Sequence, residues 1–323
     1  MKPKVVVTYP LDSAGLELLE ASCECLKPWQ GNLPDEPRIR ALLPEVDAMV
    51  IGNMIIGAED FARAGRLKVV ARPGVGYDNI DCVSATQHGI AVVYTPGANA
   101  TAVAEHALML LLATAKNARK GHETVVDGRF PERRLLPSRQ LEGKTLGIIG
   151  LGNIGSRVAA KAAAGFDMEV LGYDPPLGRE NYSGVATFTE DLDGLLGAAD
   201  FLTFHVPLTD DTRHMVNASL LSRVKPDCIL INTSRGGVVD EKALAAALDD
   251  GRLAAAGLDV FEVEPVPAGH PLGNYPNVVL SPHTAAFTPE SVGAMSRGAA
   301  EGIVAVLRGE RPAHVVNPEV FGG

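Results

Sequence analysis

An apolar run over residues 145–149 leads straight into Gly150-Leu151-Gly152-Asn153-Ile154-Gly155, and a helical run begins at Ser156. No other stretch constrains the fold as tightly. Glycines at this spacing suit a strand-turn-helix unit: Gly150 permits the tight turn, Gly152 lets backbone approach an anion, and Gly155 lets the helix pack close to the strand. The N–H groups and positive dipole end of that helix can hold a pyrophosphate without a lysine. A second strand over 169–173 ends at Asp174, which follows Gly155 by 19 residues, the spacing of a carboxylate that binds adenosine ribose hydroxyls. Asp174 disfavours a 2′-phosphate, and no arginine follows until Arg179, so NAD is expected ahead of NADP. S-adenosylmethionine enzymes use a similar strand, turn and acid. The motif therefore implies a nucleotide-like ligand and leaves the reaction to be read elsewhere.

Along the rest of the chain, short apolar runs alternate with helix-patterned stretches, as in βα units around a mostly parallel sheet. Strands are expected at 4–8, 48–51, 67–71 and 91–94, forming a first, smaller sheet, with a helix over 13–21 capped by Ser13. The stretch from 101 to about 116 is apolar nearly all round, which suits a helix packed at a domain or subunit interface. Six strands, at 145–149, 169–173, 201–204, 228–231, 255–258 and 278–280, suit a second, doubly wound sheet. A helix from about 289 and an extended tail, HVVNPEV, are expected to return to the first domain.

A length of 323 residues accommodates two such domains, and 46% hydrophobic with 21% charged residues is ordinary globular composition. The formal charge of −10 repels nucleic-acid phosphates and anionic membrane, so neither is an expected partner. The apolar run at 102–115 falls short of the ~20 residues that span a bilayer, and the start, MKPKVVVTYPLD, has too short an apolar stretch for a secretory signal. Cys23, Cys25, Cys82 and Cys228 form no CxxC pair and no zinc spacing with histidine; buried thiols, no metal site and a cytoplasmic location follow as expectations.

Ligands of open α/β sheets sit beyond the carboxyl ends of the strands, and three such exits carry chemistry. The strand CILIN runs into Thr233-Ser234-Arg235-Gly236-Gly237, where Arg235 can grip a carboxylate with two parallel donors and orient a 2-oxo or 2-hydroxy acid. After AAAGLDV comes Phe261-Glu262-Val263-Glu264-Pro265, and after NVVLS comes Pro282-His283-Thr284. His283 can give a proton to a carbonyl oxygen or take one from a hydroxyl, with Glu264 on its far ring nitrogen fixing the tautomer. His205, also at a strand exit, is the rival acid–base group. His106 reads as a helix-packing or interface residue, and His88, His122, His214, His270 and His314 join no constellation.

With those residues in view, the sequence resembles the D-isomer-specific 2-hydroxyacid dehydrogenases, through GLGNIG (150–155), NTSRGGVVDEKAL (232–244), GLDVFEVEP (257–265) and SPHTAAFT (281–288), in family order. The resemblance implies an α/β fold of two doubly wound parallel-sheet domains, with a Rossmann NAD domain (98–288) inserted into a flavodoxin-like substrate domain (1–97 and 289–323). It implies reversible hydride transfer between NAD(H) and C2 of a small 2-hydroxy or 2-oxo acid, either 3-phosphoglycerate or hydroxypyruvate and glyoxylate, in a cytoplasmic homodimer. Arg235, Glu264 and His283 would be its catalytic set. Arg72, Val75, Gly76 and Asn99 would bind substrate; Arg72 can meet a phosphate, but Pro73 departs from the small residue common in phosphoglycerate dehydrogenases. Thr101, Gly150, Gly152, Asn153, Ile154, Gly155, Asp174, Pro207, Thr233 and Asp259 would bind the cofactor, Asp259 beside the nicotinamide amide. A hairpin turn is the other reading of the glycine-rich 72–79 segment. The competing function is a dinucleotide-sensing scaffold resembling the corepressors of this family.

Overall fold

The structure, a computed structural model, describes residues 2–31 and 33–322, and divides into two units, Met1–Asn99 with Phe287–Gly323, and Ala100–Ala286. In the first, β1 (Lys4–Val7), α1 (Ser13–Ser22) and β2 (Glu24–Leu26) are followed by a small hairpin, β3 (Trp29–Gln30) and β4 (Leu33–Pro34). Then come α2 (Glu36–Leu42), β5 (Ala48–Val50), α3 (Ala58–Arg63), β6 (Val69–Arg72), α4 (Cys82–Gln87) and β7 (Ala91–Tyr94). The five-stranded sheet is ordered β2-β1-β5-β6-β7, all parallel. With the hairpin set aside this is the flavodoxin order, and apolar side chains fill both faces, among them Val6, Met49 and Val70 on one and Val5, Val50 and Val69 on the other.

The second unit opens with α5 (Ala100–Ala115) and α6 (Ala118–Val126). Alternating elements follow: β8 (Thr145–Ile149), α7 (Gly155–Phe166), β9 (Glu169–Tyr173), β10 (Thr187–Phe188), α8 (Leu192–Ala198), β11 (Phe201–Phe204), α9 (Ala218–Leu221), β12 (Ile229–Asn232), α10 (Glu241–Asp249), β13 (Ala255–Leu258) and β14 (Val278–Leu280). The parallel order β10-β9-β8-β11-β12-β13-β14 places the first strand, β8, at the point where the winding reverses, the doubly wound Rossmann arrangement. β11, β12 and β13 are buried along their whole length because helices cover both faces. The last helix, α11 (Pro289–Leu307), belongs to the first unit and packs on α1, while the tail pairs with β7 through Val93 and Val315.

Three expectations need correction. Asp12, not Ser13, caps α1: its carboxylate accepts from Ala14 N at 2.9 Å, and Ser13 is already helical. Both residue types cap well, but an anionic acceptor also favours the positive end of the helix dipole. Each sheet has one strand more than the sequence suggested. β2 lacks a strongly apolar run, and β10 is a two-residue edge too short to show alternation. Among the described residues no helix is long and apolar enough to cross a membrane, and all four cysteines are free thiols.

Candidate active site

At the end of β8 the chain turns through Gly150 at φ +94°, where a Cβ would lie 2.7 Å from the carbonyl of His205 on β11's exit. A Cβ on Gly155, the first residue of α7, would stand 1.9 Å from the Gly150 carbonyl oxygen. Only glycine lets this helix start so close to its strand. Gly152 faces open space on the same turn, while Ser156 holds it by donating to the Leu151 carbonyl at 2.6 Å. Asn153 and Ile154 complete the turn, their carbonyls accepting from Arg157 and Val158. Asp174 reaches the turn from β9, accepting from Leu151 N at 2.8 Å and Leu177 N at 3.2 Å. Arg179 points elsewhere, to the Phe188 carbonyl at 3.3 Å.

Four further groups predicted to bind cofactor lie in this unit, Asp259 at the exit of β13 and three others. Thr233 has a buried hydroxyl with no hydrogen-bond partner among the described residues, Thr101 is exposed in the first turn of α5, and the Pro207 carbonyl accepts from Thr212. A backbone cradle at a helix start, a carboxylate at the next strand end and an orphaned buried hydroxyl fit a dinucleotide.

The exits of β12, β13 and β14 bring Arg235, Glu264 and His283 into one electrostatic group. His283 Nδ1 lies 2.7 Å from Glu264 Oε2, and Glu264 Oε1 accepts from Phe261 N at 3.0 Å. Burial alone would raise the Glu264 carboxyl. The His283 hydrogen bond and charge, the Phe261 N–H and the Arg235 guanidinium outweigh it and hold the carboxyl below its usual range. The ring of His283 is one-third exposed, and its Nε2 is the nitrogen Glu264 does not use. The Arg235 backbone is fixed by Asn232, a fully buried residue at the end of β12. Its amide donates to the Arg235 carbonyl at 2.9 Å, while its oxygen accepts from Ser234 N and Oγ.

His283 sits at φ +54°, a left-handed conformation that a side chain other than glycine's rarely takes. The neighbouring strand exit enforces it. His283 N donates to the Asp259 carbonyl at 2.7 Å, and the Asp259 carboxylate accepts from Ser281 Oγ at 2.6 Å and from Thr284 N and Ala285 N at 2.9 Å each. His106 Nε2 stands 2.8 Å from Ser281 Oγ and 3.3 Å from Asp259 Oδ1. Read from the sequence as a helix-packing or interface residue, it also completes a polar network around a carboxylate with no exposed surface. Ser281 and Asn232 are residues the sequence did not single out. Only their places at strand ends could have marked them.

His205, the rival acid–base candidate, is partly buried, its ring bonded to Thr203 Oγ1 at 3.0 Å, with desolvation pulling its pKa down to about 3. Desolvation disfavours its charged form, which counts against a proton-exchanging role.

In the other unit the 72–79 segment is a βα connection from β6 to α4 and not a hairpin. Gly74 is pinned by Thr95, with Gly74 N donating to Thr95 Oγ1 at 2.8 Å and Thr95 N to the Gly74 carbonyl at 2.9 Å. Asn79 ties the far end to the carbonyls of Gly52 and Met54. Arg72 turns back on its own loop, donating to the Pro73 carbonyl at 2.8 Å and to Asn53 Oδ1 at 3.1 Å. Val75 and Gly76 are half-buried, and Asn99 has a buried amide oxygen with no partner among the described residues.

Residues 108–285 match the model of the D-isomer specific 2-hydroxyacid dehydrogenase NAD-binding domain. The chain is 41% identical to a glyoxylate reductase of Korarchaeum cryptofilum, over 99% of this chain and 97% of that one. It is 39% identical to a D-3-phosphoglycerate dehydrogenase of Methanocaldococcus jannaschii, over 97% of this chain but only 59% of the longer relative. A crystal structure of an NADPH-dependent glyoxylate/hydroxypyruvate reductase from Sinorhizobium meliloti, in complex with NADP and malonate, superposes with a TM-score of 0.87 at 32% identity, covering 99% and 98% of the two chains. The chain belongs to the D-isomer-specific 2-hydroxyacid dehydrogenase family. It is an oxidoreductase that uses a nicotinamide dinucleotide on small 2-hydroxy or 2-oxo acids.

Proposed function

We propose that this enzyme reduces glyoxylate or hydroxypyruvate, with NADH preferred to NADPH, and that Arg235, Glu264 and His283 carry the chemistry. The observation that carries the assignment is the His283–Glu264 pair at 2.7 Å, with Arg235 close enough to act on the Glu264 charge, at three neighbouring strand exits of the unit that holds the glycine turn. Arg235 grips the substrate carboxylate and polarises the adjacent carbonyl. His283 gives a proton from Nε2 to that carbonyl oxygen, and Glu264 keeps the imidazolium oriented through Nδ1. NADH, when bound, supplies the hydride to C2, which leaves a 2-hydroxy acid and NAD. Gly150, Gly152, Asn153, Ile154 and Gly155 would cradle the pyrophosphate, and Asp174 the ribose, with Thr101, Pro207, Thr233 and Asp259 as further contacts. Arg179, committed to Phe188, is poorly placed to neutralise a 2′-phosphate, which supports NADH.

Unit Ala100–Ala286 would then be the dinucleotide domain, and the other unit would bind substrate through Val75, Gly76 and Asn99. Arg72, already engaged by Pro73 and Asn53, supports an unphosphorylated substrate over a phosphorylated one. The half-exposed Met109 on α5, with Val125 and Val126 exposed on α6, supports a homodimer paired through these helices. Four free thiols suit a cytoplasmic setting. The deciding experiment follows NADH absorbance with glyoxylate, hydroxypyruvate, pyruvate and phosphohydroxypyruvate, then repeats the best with NADPH. Turnover is expected with the first two and NADH; no turnover with any 2-oxo acid rejects the reading.

A further inference from the structure

Four titratable side chains that the chemistry above does not use lie together behind Glu264. Glu241, the first residue of α10, accepts from Glu262 N through Oε1 at 2.9 Å. Glu262 returns the bond, its Oε1 accepting from Glu241 N at 3.2 Å. His270 Nε2 stands 3.0 Å from the second oxygen of Glu241, and its ring packs edge-on against Phe261, centroids 5.4 Å apart. His214 Nε2 stands 2.9 Å from Glu262 Oε1.

The two segments joined by this brace are the two that present Arg235 and Glu264. Glu241 lies six residues after Arg235, and Glu262 two before Glu264. Gly236 is packed so tightly on the second segment that a Cβ there would lie 1.8 Å from the Phe261 carbonyl oxygen. Phe261 N is the group that orients Glu264 Oε1. The Glu241–His270 half of the brace is sheltered, with side chains 17% and 14% exposed, while Glu262 and His214 lie nearer solvent at 29% and 47%.

We infer that Glu241 is a positioning residue for the reaction: with Glu262 and His270 it locks the β13 exit to the start of α10 and so sets Glu264 against His283. A carboxylate that bonds a backbone N–H and a sheltered imidazole at once fixes a loop more tightly than packing alone, because displacing the loop leaves the imidazole side partly desolvated and unsatisfied. The inference deepens the catalytic assignment and rests on it.

A double-mutant cycle tests it, on the full-length enzyme with NADH and the best 2-oxo acid of the panel. Wild-type turnover comes first; its absence would refute the catalytic reading itself, not the brace. Given turnover, Glu241→Ala should lower kcat about tenfold, with NADH affinity by fluorescence titration unchanged. Glu241→Gln, which keeps the acceptor for Glu262 N, should restore most of it. In a Glu264→Ala background the same Glu241→Ala change should cost less than about twofold, because the residue acts through Glu264. Equal losses in both backgrounds, or an unaltered kcat in the single variant, overturn the proposal. If Glu241→Ala does not fold, Glu262→Ala cuts the same brace from the other side and is read in the same way.

Discussion

Replacing Asp259 by Asn probes how the His283 loop is held. The carboxylate has no exposed surface and accepts from Ser281 Oγ and Thr284 N through Oδ1, and from Ala285 N through Oδ2. An asparagine has one acceptor oxygen. Placing it at Oδ1 keeps two bonds, but it turns the amide NH2 onto the Ala285 N–H and leaves a buried donor unsatisfied.

Losing one charge-assisted bond at a buried site costs about 2–3 kcal/mol. At about 2–4 °C per kcal/mol for a domain of this size, melting should fall by about 4–12 °C. The pH dependence has a definite sign. Burial alone would raise the Asp259 carboxyl, but hydrogen bonds from His106, Ser281, Thr284 and Ala285 outweigh it and hold the carboxyl below its usual range. The anion's stabilisation is therefore complete above the unfolded value, about 3.9, and is lost as pH falls through the lower folded value. Thermal unfolding followed by circular dichroism should show the full gap between wild type and variant at pH 7, narrowing only in acid. Melting within about 1 °C of wild type at pH 7, or a gap that widens in acid, would refute the reasoning.

Arg235→Lys should raise the KM for the 2-oxo acid roughly tenfold or more, with the NADH constant little moved, because a point charge cannot replace a planar fork; steady-state kinetics with each substrate varied in turn check this. Asp174→Ala should raise the KM for NADH roughly tenfold and erode discrimination against NADPH, as the ribose loses its acceptor and the 2′-phosphate its repulsion. Paired assays with the two cofactors measure both effects.

Much of the fold was legible because a parallel sheet covered on both faces writes most of its strands as short apolar runs. β7, β8, β9, β11, β13 and β14 begin and end at the residues expected of them. The edge strands β2 and β10 were not, since β2 carries no strongly apolar run and β10 is only two residues long. The contact between Glu264 and His283 was legible because local motifs at strand exits can be read one at a time, and the bond between them followed from chemistry.

What escaped is what joins distant segments. His106 meets Ser281 across 175 positions of sequence, and Glu241 meets Glu262 across 21. Neither spacing carries a periodic signal, and a histidine in the middle of an apolar helix looks like packing until the strand end beneath it is placed. His205 illustrates the reverse case. Its position at a strand exit was read correctly, but the desolvation of its ring, which disfavours the charged form, has no sequence signal.

The most direct test of the account is His283→Ala, assayed for NADH-dependent reduction beside a fluorescence titration of NADH binding. The account predicts a fall in kcat of about 10²-fold or more, with cofactor affinity kept. Turnover at the wild-type rate in a variant that still binds NADH would contradict it.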